Sequence, residues 1–347
     1  MEFYNGVLVP GFVNAHCHLE LSHLRGAIAS GCGMAGFVQA MRAQRHRFSP
    51  EAQLAAARYH AARMRAEGVF LIADVCNSAR SFAVKSENPE NWHNFLELYG
   101  LRTKSAESLR PTATAADAAG LAWSITPHAA HSLNRDAFAA AIEGFSTDKN
   151  SPATKNPPLS IHFLESDEER ALFRQKGPLW AWYREEDFPM DFTEYKSPAE
   201  RILAEIPAHR NLMLIHNTFV AASEIEALQA HFGDHLTWVL CPRSNRHITG
   251  AQPPVELLRR HGARIALGTD SLASNSDLSM LEEMKMFAGV PLDEVLSWAT
   301  AHGARLFNCD DRYGTFEVGK RSSIVLLEGI DWKQMKLLPA ASARRLS

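Results

Sequence analysis

Val7-Leu8-Val9-Pro10-Gly11-Phe12-Val13-Asn14-Ala15-His16-Cys17-His18 is an apolar run that closes on two histidines, two residues apart. Strand side chains alternate between faces with a period of two, so both imidazoles project the same way. Two neutral imidazoles on one face, at the carboxyl end of a short strand, supply half of a metal site.

Further short apolar runs end in polar residues in the same manner. They occupy residues 69–74, 95–99, 121–126, 159–162, 212–216, 236–241 and 264–270, which with 12–16 makes eight. Helical stretches lie between most of them. Residues 50–67 stop at Gly68, 134–143 at Gly144, 221–232 at Gly233 and 254–261 at Gly262. Glycine directly after a helical run is a stop signal. Alternating strands and helices imply a parallel sheet. Eight such units imply an α/β protein built as a (β/α)8 TIM barrel, here assigned to residues 10–312. Residues 313–320 read as a turn into Ile324-Val325-Leu326-Leu327, one more strand outside the barrel that pairs with residues 3–9. Residues 1–9 and 313–347 then form a reduced β-sandwich remnant, a small sheet made by the chain termini.

The 347 residues are 46% hydrophobic and 22% charged, which suffices for one large core of this kind. Net charge is −3, with no Lys/Arg stripe, which argues against a nucleic-acid partner. No apolar run reaches the length of a membrane span, and no basic-then-apolar leader opens the chain. Five cysteines, odd in number and without a C-x-x-C pair, read as reduced thiols in a cytoplasmic protein. They also argue against the zinc deaminases marked by H-x-E plus P-C-x-x-C. Most of the sixteen histidines are expected on the surface. Residues 145–158 read as an exposed loop. Residues 177–196 carry Trp180, Trp182, Tyr183, Phe188, Phe192 and Tyr195. They form either a helix packed on the barrel or a lid over a flat apolar substrate.

His162 ends the fifth strand, His216 the sixth and Asp270 the eighth. Singly, each has a plain explanation: a strand-end histidine is commonly a hydrogen-bonded cap, and Asp270 could cap a following helix. Jointly, five such groups with His16 and His18 on one barrel face point to a metal centre. Three imidazoles and a carboxylate suit Zn²⁺ first, with Fe as the second choice. Glu165, three residues past His162, is placed to move a proton between water and a leaving group. Its plain alternative is a solvated acid within Glu165-Ser166-Asp167-Glu168-Glu169. The fourth strand ends Thr126-Pro127-His128 and the fifth ends in His162, leaving no lysine to bridge two ions. One divalent metal per subunit is therefore expected, with Asp270 also serving in part as a catalytic base.

Six stretches together resemble the amidohydrolase superfamily, in its cytosine deaminase and chlorohydrolase branch. They are Pro10-Gly11-Phe12-Val13-Asn14-Ala15-His16-Cys17-His18, Pro127-His128-Ala129, His162-Phe163-Leu164-Glu165, His216-Asn217, Cys241-Pro242-Arg243-Ser244-Asn245 and Gly268-Thr269-Asp270-Ser271. The resemblance implies that His16, His18, His162 and Asp270 bind the metal. It implies that His216 polarises water or substrate and that Glu165 shuttles protons to a ring nitrogen. His16-Cys17-His18-Leu19-Glu20-Leu21-Ser22-His23-Leu24 and Gly268-Thr269-Asp270-Ser271-Leu272-Ala273-Ser274-Asn275 are similar to the aminodeoxyfutalosine deaminase-like members. That substrate carries a carboxylate, for which Arg243 or Arg246 is the expected partner, unless these arginines form rim salt bridges instead. Asn245 and His128 join the expected substrate-binding residues.

The implied activity is hydrolytic release of ammonia from an adenine-type nucleoside: aminodeoxyfutalosine, adenosine, methylthioadenosine or adenosylhomocysteine. Another amidohydrolase reaction is the alternative, or a non-catalytic metal-binding barrel. The partner is a small molecule, and there is room for a homo-oligomer. The segment before the barrel is shorter than the family's, so either the terminal sandwich is vestigial or the chain is shortened at its start.

Overall fold

The computed structural model describes residues 4–103, 105–145 and 157–346. The loop expected over residues 145–158 thus lies almost wholly outside the described residues. Eleven strands follow in chain order: β1 (Val7–Pro10), β2 (Phe12–Cys17), β3 (Val69–Cys76), β4 (Trp92–Leu98), β5 (Ala122–Pro127), β6 (Leu159–Phe163), β7 (Leu212–His216), β8 (Leu236–Leu240), β9 (Ile265–Leu267), β10 (Ile324–Asp331) and β11 (Lys336–Arg345).

Strands β2 to β9 correspond to the eight apolar runs. They pair in parallel in the orders β2-β3-β4-β5 and β6-β7-β8-β9. Two seams join these half-sheets. At one, Ala129 bridges His162, and the His162 N–H donates to the His128 carbonyl at 2.9 Å. At the other, Cys17 bridges Asp270, and the Thr269 and Asp270 N–H groups both donate to the His16 carbonyl at 2.9 and 3.0 Å. Asn14 closes the second seam further, accepting from the Thr269 N–H at 3.1 Å and donating to its hydroxyl at 2.8 Å. Ala15, Ala73, Phe95, Met213, Val239 and Ala266 pack into one apolar cluster although they come from six different strands. An open sheet could not bring all six together; a closed (β/α)8 barrel does. Every residue of β2, β3, β4 and β6 to β9 is buried, which is why they read as continuous apolar runs.

The four expected helices are Pro50–Ala66, Arg135–Glu143, Ala222–Phe232 and Val255–Arg260. Local chemistry starts two of them: the Ser49 hydroxyl accepts from the Ala52 N–H with Pro50 at the first position, and Asn134 accepts from the Ala137 N–H. No helix among the described residues is long and apolar enough to cross a membrane.

A separate antiparallel sheet runs β1-β10-β11, so the termini do form a small sheet outside the barrel. Strand β11 was not anticipated, because its burial does not alternate and its residues carry no strand signature. Gly68 ties this sheet to the barrel: its φ is +96°, and a Cβ there would collide with Val325 of β10. The histidines correct the expectation of a surface majority. Among the described residues, only His46, His209 and His235 of the histidines are exposed.

Candidate active site

The carboxyl ends of β2, β6, β7 and β9 converge. His16 is fully buried and His18 nearly so, and their Nε2 atoms are 3.2 Å apart. His18 Nε2 is 3.4 Å from His162 Nε2. Asp270 Oδ1 lies 3.7 Å from His16 Nε2 and 3.6 Å from His18 Nε2. A tetrahedral ion with bonds near 2.1 Å needs ligand atoms about 3.4 Å apart, so the donor set fits a small divalent cation as it stands. The charge state fits too. Burial first, then His16, pushes His18 down to about 3, and burial holds His162 well below its ordinary range, so both imidazoles are neutral. Burial opposes the Asp270 charge, yet His16, His18 and His216 hold its carboxyl well below the usual carboxylate range. Neutral imidazoles and an anionic carboxylate are the forms a cation requires.

Backbone and side-chain contacts aim these ligands. The His128 carbonyl accepts both the His162 backbone N–H and its ring Nδ1–H, each at 2.9 Å, which leaves Nε2 facing the cluster. Gly268 permits the approach of β9 to β2: a Cβ there would sit 2.7 Å from His16 Cβ. Leu164, His216, Asn217 and Asp270 all have φ between +46° and +78°, a region that side-chain-bearing residues rarely adopt. Their gathering at these strand ends marks a site held in a particular shape.

Glu165 is buried beside this cluster, with Oε1 3.5 Å from His216 Nε2. Burial, then Asp270 and Glu169, raises its carboxyl well above the ordinary value, so it holds a proton in the absence of a cation. Of the neighbouring acids, Asp167 is exposed, but Glu168 and Glu169 are engaged by backbone N–H groups. Glu169 is buried and accepts the N–H groups of Leu164, Glu165 and Ser166. Glu168 accepts those of Met34 and Ala35 at the start of the helix Gly33–Gln44. Both therefore pin the segment that carries Glu165.

A cavity of about 430 Å³ opens onto His18, His162, Glu165, His216 and Asp270. His128 lies on its wall, stacked on His162 with ring centroids 4.5 Å apart. The expected arginines do not reach it. Arg243 is ion-paired with Asp277, and Arg246 is exposed. Arg42 and Arg45 line the cavity instead, although Arg42 is engaged by Glu186 at 2.8 Å. Asn245 is also absent from the wall. It is buried, and its amide stands 3.4 Å from His216 Nδ1, so it holds that ring. The aromatic segment contributes a helix, Gly177–Glu185, whose Leu179, Trp182 and Tyr183 line the cavity together with Phe188. It is thus a helix packed on the barrel whose inner face is also a cavity wall.

Glu97 was missed. It is a buried wall residue whose carboxyl is pushed up to about 7 by burial, and it accepts from the Asn77 amide at 2.8 Å. Its signal was legible: a charge in the middle of the apolar run Phe95-Leu96-Glu97-Leu98-Tyr99. His131, also on the wall, gave no such signal.

Comparison with known proteins gives the chain its family. An adenosine deaminase of Helicobacter pylori is 26% identical over 342 residues, covering 93% of this chain and 79% of that protein. A 5-methylthioadenosine/S-adenosylhomocysteine deaminase of Desulforudis audaxviator is 36% identical over 129 residues, 34% of this chain and 29% of that protein. The crystal structure of Helicobacter pylori aminofutalosine deaminase in complex with methylthio-coformycin superposes with a TM-score of 0.77 at 25% identity, covering 94% of this chain and 80% of that one. The sequence pattern of the Amidohydrolase family matches residues 7–343, and the chain belongs to that family.

Proposed function

We propose that this protein is a metal-dependent hydrolase of C–N bonds that releases ammonia from an adenine-type nucleoside. The observation that carries the reading is the placement of Glu165. A buried carboxyl, pushed well above its ordinary value by burial, stands 3.5 Å from His216, at the edge of a donor set of three imidazoles and one carboxylate on the floor of a cavity. The family and the names of the relatives support the substrate class.

His16, His18, His162 and Asp270 would hold one divalent ion, with zinc the first choice for this donor set. Acidification of water to hydroxide near neutral pH is the chemistry such an ion supplies when bound. The remaining steps belong to the chain. Glu165 donates its proton to the purine ring nitrogen beside the amino-bearing carbon, which makes that carbon electrophilic. Asp270 and His216 orient the attacking water. As its oxygen adds to the carbon, the proton released passes to the Glu165 carboxylate. Glu165 hands that proton to the amino group, and the C–N bond breaks to release ammonia. The hydroxyl proton of the collapsing intermediate returns to Glu165. One carboxyl thus handles every transfer, and the step balances without a second base. Asp270 was expected to share the role of base. Two serine hydroxyls already occupy its second oxygen, which favours Glu165 for the proton traffic.

The nucleoside sits with its base toward Glu165 and His216, and His128 contacts it from the wall. Adenosine, methylthioadenosine, adenosylhomocysteine and aminodeoxyfutalosine are the candidates. Loss of adenine absorbance on incubation with the zinc-loaded protein tests the reading. Turnover of at least one candidate is expected. No change with any of them, with zinc bound, would contradict it and favour a different amidohydrolase reaction.

A further inference from the structure

Two of the sequence stretches that mark the site contain serines that the proposed reaction leaves without a task. Ser244 lies on the helix Pro242–Ile248 that follows β8, and Ser274 lies four residues beyond Asp270. Both are fully buried, and Asp270 is 6% exposed. The Ser244 hydroxyl donates to Asp270 Oδ2 at 2.5 Å. The Ser274 hydroxyl donates to the same oxygen at 2.7 Å. The two hydroxyl oxygens are 2.8 Å apart, so they clasp Oδ2 from adjacent directions. Meanwhile Oδ1 faces His16 and His18 at 3.7 and 3.6 Å. The carboxylate is divided: one oxygen belongs to the serines and the other to the imidazole cluster.

We propose that Ser244 and Ser274 are positioning residues for the metal, locking Asp270 so that Oδ1 alone serves as a ligand. The proposal rests on the metal-dependent reading for the identity of the ligand set. Hydrogen bonds from hydroxyls to a charged carboxylate are short and strong, and these two fix its rotation about the Cβ–Cγ bond. Asp270 needs such a hold. Its φ is +57°, a backbone conformation that does not by itself keep the side chain in one place. A carboxylate left free to turn would lose conformational freedom on binding an ion, or would offer both oxygens and crowd the side on which water must bind. With Oδ2 occupied, that ordering is complete before the ion arrives. Groups that orient a ligand in this way typically contribute about 10- to 100-fold in metal affinity.

Zinc competition between the protein and a coloured chelator tests this on Ser244→Ala, Ser274→Ala and the double variant. Each single change should weaken zinc binding about 10-fold and the double change about 100-fold. The metal-free forms should unfold near the parent's temperature, since a purely structural role would lower that temperature and leave zinc affinity alone. Zinc held as tightly by the double variant as by the parent overturns the proposal. Should the alanine forms not fold, Ser274→Thr and Ser274→Val carry the test, being alike in shape and different in the hydroxyl. The threonine form should bind zinc more tightly than the valine form; equal affinity overturns the proposal. Because the readout is zinc rather than turnover, a wrong substrate class would not disturb it. A parent chain that binds no zinc would overturn both the proposal and the metal reading beneath it.

Discussion

At the scale of single residues, the proposed chemistry rests on Glu165. Glu165→Gln keeps size and burial but removes the exchangeable carboxyl proton. The variant should retain its metal and lose about 10²- to 10⁴-fold in turnover, the usual contribution of a placed acid–base group. Metal analysis alongside steady-state rates checks this; near-parent turnover would remove Glu165 from the reaction. Glu165, His16, His18, His162, His216 and Asp270 were all legible in the sequence, because each is a polar group closing or just following an apolar strand, and such positions share one barrel face. Ser244, Ser274 and His131 were not legible in their roles. A serine on a helix after a strand looks the same whether it faces solvent or clasps a carboxylate 26 residues away. Arg243 shows the opposite failure: its charge suggested a ligand partner, but Asp277, from a different loop, neutralises it.

At the scale of elements, the seven-residue helix Pro242–Ile248 supports two groups of the site at once. Ser244 reaches Asp270, and the next residue, Asn245, reaches His216 and also bonds Thr218. The two supports should separate experimentally. Asn245→Ala frees the His216 ring without touching the metal ligands, so turnover should fall by up to about 100-fold, the cost of a small misplacement, while zinc affinity stays at the parent value. Rates and zinc titration on the same preparation check it; unchanged turnover would contradict the role given to Asn245. The barrel elements were legible because fully buried strands and glycine-stopped helices leave strong marks. Strand β11 was not, since an outer strand that buries few side chains leaves no period to read.

At the scale of the molecule, a buried ion pair ties three barrel strands together. Lys85 is fully buried, pairs with Asp74 of β3 and donates to Asn94 of β4 at 2.6 Å. Asp74 in turn accepts the Leu19 N–H just past β2 at 2.7 Å. Lys85→Met leaves the Asp74 charge buried and unpaired and should cost about 3–5 kcal/mol in unfolding free energy, read from urea titration. A loss below about 1 kcal/mol would mean the pair contributes little. Glu283 gives the fold a pH dependence. It is fully buried, and burial raises its carboxyl to about 8 from an ordinary 4.5. A carboxyl whose folded value is raised contributes stability that is complete below the ordinary range and lost as pH rises through the folded value. Glu283→Gln should therefore gain on the parent in urea midpoint between about pH 5 and pH 9. A gap that does not change with pH would contradict the raised carboxyl.

The proposed activity joins one metal to one reaction. Ammonia released from the best-accepted adenine nucleoside, measured while zinc is titrated into metal-free protein, tests both together. Ammonia is expected in equal amount to nucleoside consumed, with activity rising to a plateau at one zinc per chain. Ammonia without zinc, a plateau at two zinc ions, or nucleoside consumed without ammonia would contradict it.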